Sequence, residues 1–455
     1  MLVVNMIPRA LSYEENQDSE PTIAVNPRRP RQIAGSAFTP DPLNGNRAPI
    51  YVSEDGGSSW RLNADVPSQI ETSDITVAFG SRGALYAGIL RQPSPPHDTR
   101  LNILRTPDFR APAAMSVLVN RIGPDQPFVQ TASIKGKDRV YVGDNDTAVV
   151  DGRSATIDYS LSASSSTTFK SVRLEARSTG IPAQDGPQVR PAIHRDGTVY
   201  AVFLAWRQQR GDWERNTLVI TGDVVLVRDD AGGAGKNPFA ALTDPTDGAV
   251  GRLVATNITF PFQQTGDGVP GQQRLGGDLA IAVDPRTSAR VYIAWADQPA
   301  GGAYTLHIRR SDDRGATWSS DLRVVAGAIN AALAVNSAGR LGFLYQALSG
   351  TPRRWVTHLE RASPAGSWDD LVLSSAPAND PPKKFDPYLG DYAHLMAVGR
   401  RFYGVFSASN APDMANFPQG VRYQRLVDFS THRLLREDGG AVRTSIDPFF
   451  FRVAG

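Results

Sequence analysis

Cysteine is absent from the 455 residues, which excludes disulfides, thiolate chemistry and cysteine-ligated zinc. Net charge is nearly absent as well. The 48 basic and 46 acidic residues leave +2, so nucleic-acid binding has no support from charge. No apolar run is long enough to cross a membrane, and membrane insertion is not expected. The first residues, "MLVVNMIPRALSYEENQDSE", lack the basic start and apolar length of a secretory signal. His97, His194, His307, His358, His394 and His432 never fall in an HxH or HExxH spacing. No G-x-S-x-G elbow, phosphate-binding loop or dinucleotide turn occurs either, which argues against a zinc hydrolase, a serine hydrolase or a nucleotide enzyme.

Turn formers, by contrast, are plentiful: 41 glycines and 33 prolines are scattered along the whole chain. They favour many short strands over long helices. "PTIAVNPRRPRQIAGSAF" (21–38) and "DLAIAVDPRTSARVYIAWAD" (278–297) share one plan: an apolar strand, a V-[ND]-P turn, and a second strand ending in an aromatic. The plan returns at 74–90, 126–144, 190–206, 331–347 and 391–409. Each copy alternates apolar with small or polar residues, as a strand does, and carries hairpin residues at its tip. A second hairpin follows each, clearest in "IYVSEDGGSSWRLNADV" and "LHIRRSDDRGATWSSDLRVV". Four antiparallel strands repeated seven times predict an all-β, seven-bladed β-propeller. Two stacked β-sandwiches would give no reason for so regular a period. The whole of 1–455 is read as one domain, with blades at about 20–65, 73–120, 125–179, 186–258, 277–325, 329–375 and 388–455. Residues 1–13 or "DPFFFRV" (447–453) would close the last blade.

"SEDGGSSW" (53–60) recurs as "SDDRGATW" (311–318). Ser53, Asp55 and Gly57, with Ser311, Asp313 and Gly315, suit a tight turn in which a carboxylate accepts backbone amides. Trp60 and Trp318 are expected to turn inward and fill the space between blades. This motif resembles the Asp-box, or bacterial neuraminidase repeat. The likeness extends over the chain at blade level, although Ser164, Ser166 and Phe169 stand where Asp, Gly and Trp would be. The resemblance implies a scaffold shared by sialidases, other glycosidases, lectins and sorting receptors. It suggests an extracellular or cell-surface setting, with a cytoplasmic one left open. Sialidases of this kind have six blades and an early Arg-Ile-Pro, and neither fits this chain.

Ligands are expected on the face opposite the boxes, where variable loops gather on a rigid scaffold. Arg207, Arg210 and Arg215, with Trp213, offer forked donors and a stacking face in "RQQRGDWERN". Arg190 and Arg274 approach the central channel and would serve an anion grip. Glu20, Asp74, Asp125, Asp185, Asp278 and Asp391 stand where blades begin. Of these, Asp74, Asp125, Asp278 and Asp391 would form a rim able to hold a structural Ca2+, or would each cap its own turn. "GDND" (143–146) is a second oxygen cluster. Asp386, Tyr388 and Asp391 would supply a hydrolase with its carboxylates and tyrosine, and Tyr388 is also a ligand-binding candidate. Phe260 and Phe262 fall in a connection expected to be exposed. The leading functional expectation is a non-catalytic recognition or scaffold module that binds a glycan or a protein and requires no cofactor. The alternative is an exo-acting, sialidase-like glycoside hydrolase.

Overall fold

A computed structural model describes the chain except residues 40–48, 64–71, 92–98, 113–114, 165–166, 213–214, 216, 263–276, 301, 364–365, 379 and 385–387. Among the described residues there is no α-helix, and the few helical turns span three residues each. Seven four-stranded antiparallel sheets account for nearly all the strands. Their inner strands are Ser19–Val25, Thr72–Phe79, Pro124–Ile134, Arg190–Ile193, Leu279–Val283, Ala328–Val335 and His394–Val398. Each inner strand packs on the next, and the seventh packs back on the first. The ring is therefore closed, and the molecule is a β-propeller, with these sheets as blades one to seven.

Closure is achieved by the chain ends. In blade seven His394–Val398 pairs with Arg401–Ser409, which pairs with Ile446–Ala454, and that strand pairs with Leu2–Asn5. The N-terminal strand is thus the outer strand of the last blade, and Ile446–Ala454 is its third. The last blade thus has four strands like the others, and its outward edge is the short Leu2–Asn5 and not the long Ile446–Ala454. The excursion between the second and third strands of blade seven carries a small three-stranded sheet, Val427–Asp428, Arg433–Leu435 and Ala441–Val442.

The core lies between blades, because each sheet presents one apolar face to each neighbour. The two polar hairpins show how these faces are pinned. Asp55 Oδ1 accepts the Ser58 and Ser59 amides at 2.9 Å, and Ser53 Oγ accepts the Gly57 amide. Asp313 Oδ1 accepts the Thr317 amide at 2.8 Å, and Ser311 Oγ accepts that of Gly315. With the turn fixed, Trp60 packs edge-on against Phe450 at 5.3 Å. Phe450 belongs to the preceding blade around the ring, not the following one. Burying such a side chain contributes about 4–6 kcal/mol of transfer free energy before ordering costs. Trp318 is only half-buried and packs against the core that spans blades four to six.

Two sequence expectations are corrected here. Phe260 and Phe262 are fully buried, not exposed. Phe260 lies in Arg252–Pro261, the outer strand of blade four, and Phe262 follows it to meet Trp206 edge-on at 5.0 Å. "GDND" is no open oxygen cluster. Arg121, from the outer strand of blade two, clasps Asp144 and Asp146 at 2.7 Å and Asp158 at 3.0 Å, which joins blade two to blade three.

Candidate functional site

Antiparallel alternation puts the starts of all inner strands at one end of the channel, opposite the two polar hairpins. Four of those starts share a device that the sequence hid. The ladder slips between Ser19 and Thr22, Thr72 and Ile75, Asp125 and Phe128, and Ile329 and Ala332. In three of them a non-glycine residue takes positive φ: Glu20, Gln126 and Asn330. Such bulges bend the strand and re-aim its side chains. The recurring S-E-P-T and D-Q-P-F at 19–22 and 125–128 was the available signal.

At this mouth Arg190 is buried, its guanidinium 4.1 Å from the centre of the Phe128 ring and 5.5 Å from that of Tyr392. Burial pulls it down to about 10, partly offset by Tyr392, Asp278 and Asp74, so it remains a cation at neutral pH. Among the described residues no carboxylate lies within ion-pair distance of it. Tyr392 donates its hydroxyl to Asp74 Oδ1 at 3.2 Å. Burial, reinforced by Asp74 and Glu20, pushes the phenol well above its usual range. His394 Nδ1 accepts the Ile23 amide at 3.2 Å, and its ring meets Phe128 edge-on. Burial and then Arg190 lower it to about 3, which leaves a neutral imidazole.

Below the mouth a cavity of about 50 Å³ is lined by residues of blades three to seven, among them Phe128, Gln130, Arg190 and His394. Near the starts of the inner strands Ser19 Oγ, Ser73 Oγ, Gln126 Nε2, Gln188 Oε1 and Arg190 Nε are buried with no hydrogen-bond partner among the described residues. Buried polar atoms in native proteins are nearly always satisfied, so such a cluster marks a place where a polar ligand or water belongs.

The residues singled out from sequence divide accordingly. Arg190, Asp74 and Asp391 stand at the mouth; Asp391 is half-buried, and its amide faces Glu20 Oε1 at 3.4 Å. Tyr388 is buried, and its hydroxyl donates to the Pro381 carbonyl at 2.6 Å. Arg207 is paired with Asp223 of its own blade at 2.6 Å and with Glu175, just beyond the outer strand of blade three, at 3.1 Å, which ties blade four to blade three. Arg210 is exposed at the end of a strand, and Arg215 is exposed, with Asp212 at 4.0 Å. Trp213, Arg274 and Asp386 lie outside the described residues.

Among the described residues the expected cation rim of Asp74, Asp125, Asp278 and Asp391 does not gather into a metal-holding group, and three of its members are engaged locally. Asp74 holds Tyr392, and Asp125 accepts the amide of Gln126. Asp278 accepts the Ala331 amide at 2.9 Å and the Tyr304 hydroxyl at 3.0 Å, which latches blade five to blade six. The Arg190–Phe128–His394 stack was missed because arginine, phenylalanine and histidine come from three blades and no spacing connects them.

No protein-family model matches the chain, and no curated protein is detectably similar. Solved structures of similar fold include an α-L-arabinofuranosidase of Fusarium graminearum, at 11% identity over 99% of this chain and 98% of that one, with TM-score 0.45. An α-L-arabinanase of Penicillium chrysogenum matches at 11% identity over 98% and 97%, with TM-score 0.42. A sialidase of Trypanosoma rangeli matches at 11% over 99% of this chain and 57% of that one, with TM-score 0.37. Likeness this remote gives no residue of this chain a role. It does correct the leading expectation: these neighbours are glycosidases, in accord with the hydrolase alternative and not with a non-catalytic module.

Proposed function

We propose that the protein is an exo-acting glycoside hydrolase that works at the mouth of the central channel on a terminal sugar bearing a carboxylate. The observation that carries this reading is the Tyr392 hydroxyl on Asp74, 3.2 Å apart, beside the buried Arg190. A tyrosine next to a carboxylate is a nucleophile with its base. With the phenol pushed up, no phenolate is waiting, so Asp74 takes the proton as Tyr392 oxygen bonds to the anomeric carbon. The leaving oxygen departs with a proton from an acid, for which Asp391 is the candidate, and water then releases the sugar from the tyrosine.

Arg190 supports an acidic sugar in particular. A charged guanidinium buried without an ion-pair partner is costly, and a substrate carboxylate would satisfy it. The cavity of about 50 Å³ takes a group of carboxylate size, so the sugar ring lies above it, against the rim. Tyr392 is 2% exposed, and turnover therefore requires the mouth to open around it. The finer resemblance, to Asp-box sialidases, points the same way.

The test is a panel of fluorogenic glycosides that pairs acidic sugars with neutral pentosides and hexosides. Hydrolysis of an acidic member is expected, and Tyr392→Phe should lower kcat on the order of 10²–10⁴-fold, the range of an acid–base contribution. Arg190→Gln should chiefly raise KM for that substrate. Hydrolysis confined to neutral glycosides would remove the role of Arg190. Full activity in Tyr392→Phe would return Tyr392 to a packing role, and no hydrolysis of any glycoside would overturn the reading.

A further inference from the structure

A second constellation lies where the ring closes, away from the channel. Glu14 and Asp18, from the segment leading into blade one, meet Asp447 at the start of the third strand of blade seven. All three are buried, and one oxygen of each lies within 4.8 Å of the others. That is no further than two Ca–O bonds of 2.3–2.6 Å laid end to end. Among the described residues the one cation in direct contact is Arg425, itself fully buried, at 3.0 Å from both Glu14 Oε1 and Asp447 Oδ2. With all three ionised against one guanidinium, two negative charges would stay in the interior, which is costly unless a bound cation or protons neutralise them.

Two atoms point to what is bound. Among the described residues Asp18 Oδ1 and the Tyr51 hydroxyl have no hydrogen-bond partner, although Thr39 bonds the Asp18 side chain, and their residues are 1% and 0% exposed. Tyr51 is fully buried, and the charges that reach its hydroxyl are chiefly those of Asp18, Glu14 and Asp447. Asn5 and Asn410 each donate to Asp447 at 2.7 Å, and this fixes the orientation of that carboxylate. We infer that Glu14, Asp18 and Asp447, with the Tyr51 hydroxyl facing them, form a binding site for a hard divalent cation, Ca2+, at the seam between blades one and seven. An all-oxygen set with a deficit of two positive charges is the chemistry such an ion takes. The bound ion would staple the N-terminal segment, blade one and blade seven into a single unit. This inference does not depend on the hydrolase reading.

The experiment uses the full chain, stripped with chelator and dialysed. Equilibrium dialysis should show one Ca2+ per chain, and the melting temperature should rise with Ca2+ and fall again on chelation. Asp18→Asn should abolish both responses. Should that variant fail to fold, Tb3+ decides the matter: its emission under tyrosine excitation should be displaced by Ca2+ and diminished in Tyr51→Phe. A folded, metal-free protein that takes up no Ca2+ would overturn the site. So would uptake unchanged in Asp18→Asn, or Tb3+ emission indifferent to Tyr51→Phe.

Discussion

At the scale of single residues, the sharpest constraint falls on two glycines. Gly57 and Gly315 sit at φ +84° and +86°, a region where a side chain costs about 1–2 kcal/mol. The approach of the preceding blade adds to this. A Cβ on Gly57 would collide with the Phe450 ring, and one on Gly315 would stand 2.6 Å from Leu226 Cδ2. Gly83 makes the comparison clean, because its φ is +87° and nothing lies within 4 Å of the added atom. Gly83→Ala should therefore cost backbone strain alone, about 1–2 kcal/mol. Gly57→Ala should cost about 2–5 kcal/mol once 1–3 kcal/mol of overpacking is added. Urea midpoints at equal m-values would measure both. Equal losses in the two variants would mean that the blades do not press on this turn.

At the scale of elements, closure by the N-terminal strand makes a prediction of its own. Val3 and Val4 are buried and lie opposite Phe451 and Phe450 in the ladder. Deleting residues 1–4 would strip these contacts and leave Ile446–Ala454 as a long, apolar, unpaired edge. The shortened chain should melt at lower temperature and self-associate on size-exclusion chromatography; an unchanged monomer with an unchanged melt would refute the closure. The inner strands were legible in the sequence because their apolar alternation and V-[ND]-P tips recur, and a repeat amplifies a weak signal. The outer strands were less so: Arg252–Pro261 looks like a loop insertion until its partner strand buries Phe260. Least legible were the bulges, since positive φ at Glu20, Gln126 and Asn330 is imposed by the ladder and not announced by glycine. The candidate site was legible only in part for the same reason. Arg190 and the acidic residues stand out as lone chemical groups, but Phe128 and His394 read like any buried strand residues, and Tyr392 lies just before the strand that His394 opens. Only the ring's curvature stacks them.

At the scale of the whole molecule, the channel's buried ionisable groups tie the stability of the ring to pH, with two opposed signs. His394 is held down to about 3 by burial and by Arg190, whereas an unfolded histidine titrates near 6.5. Between those values the unfolded chain binds more protons, so this residue makes stability fall as pH falls. Asp278 runs the other way. Burial lifts it to about 6 from 3.8, so the folded state binds the extra proton in that window, and stability falls as pH rises through it. The two windows overlap, and a wild-type profile would blur them; paired variants separate them. His394→Asn keeps an acceptor near the Ile23 amide but cannot be charged. It should gain on the wild type as pH drops from 7 to 4, by at most about 3 kcal/mol at 1.36 kcal/mol per pH unit. Asp278→Asn should gain instead as pH rises from 4 to 6. Denaturant melts across that range would show two difference curves of opposite slope. Parallel curves for His394→Asn and the wild type would mean that water reaches His394 in the folded protein and solvates the imidazolium.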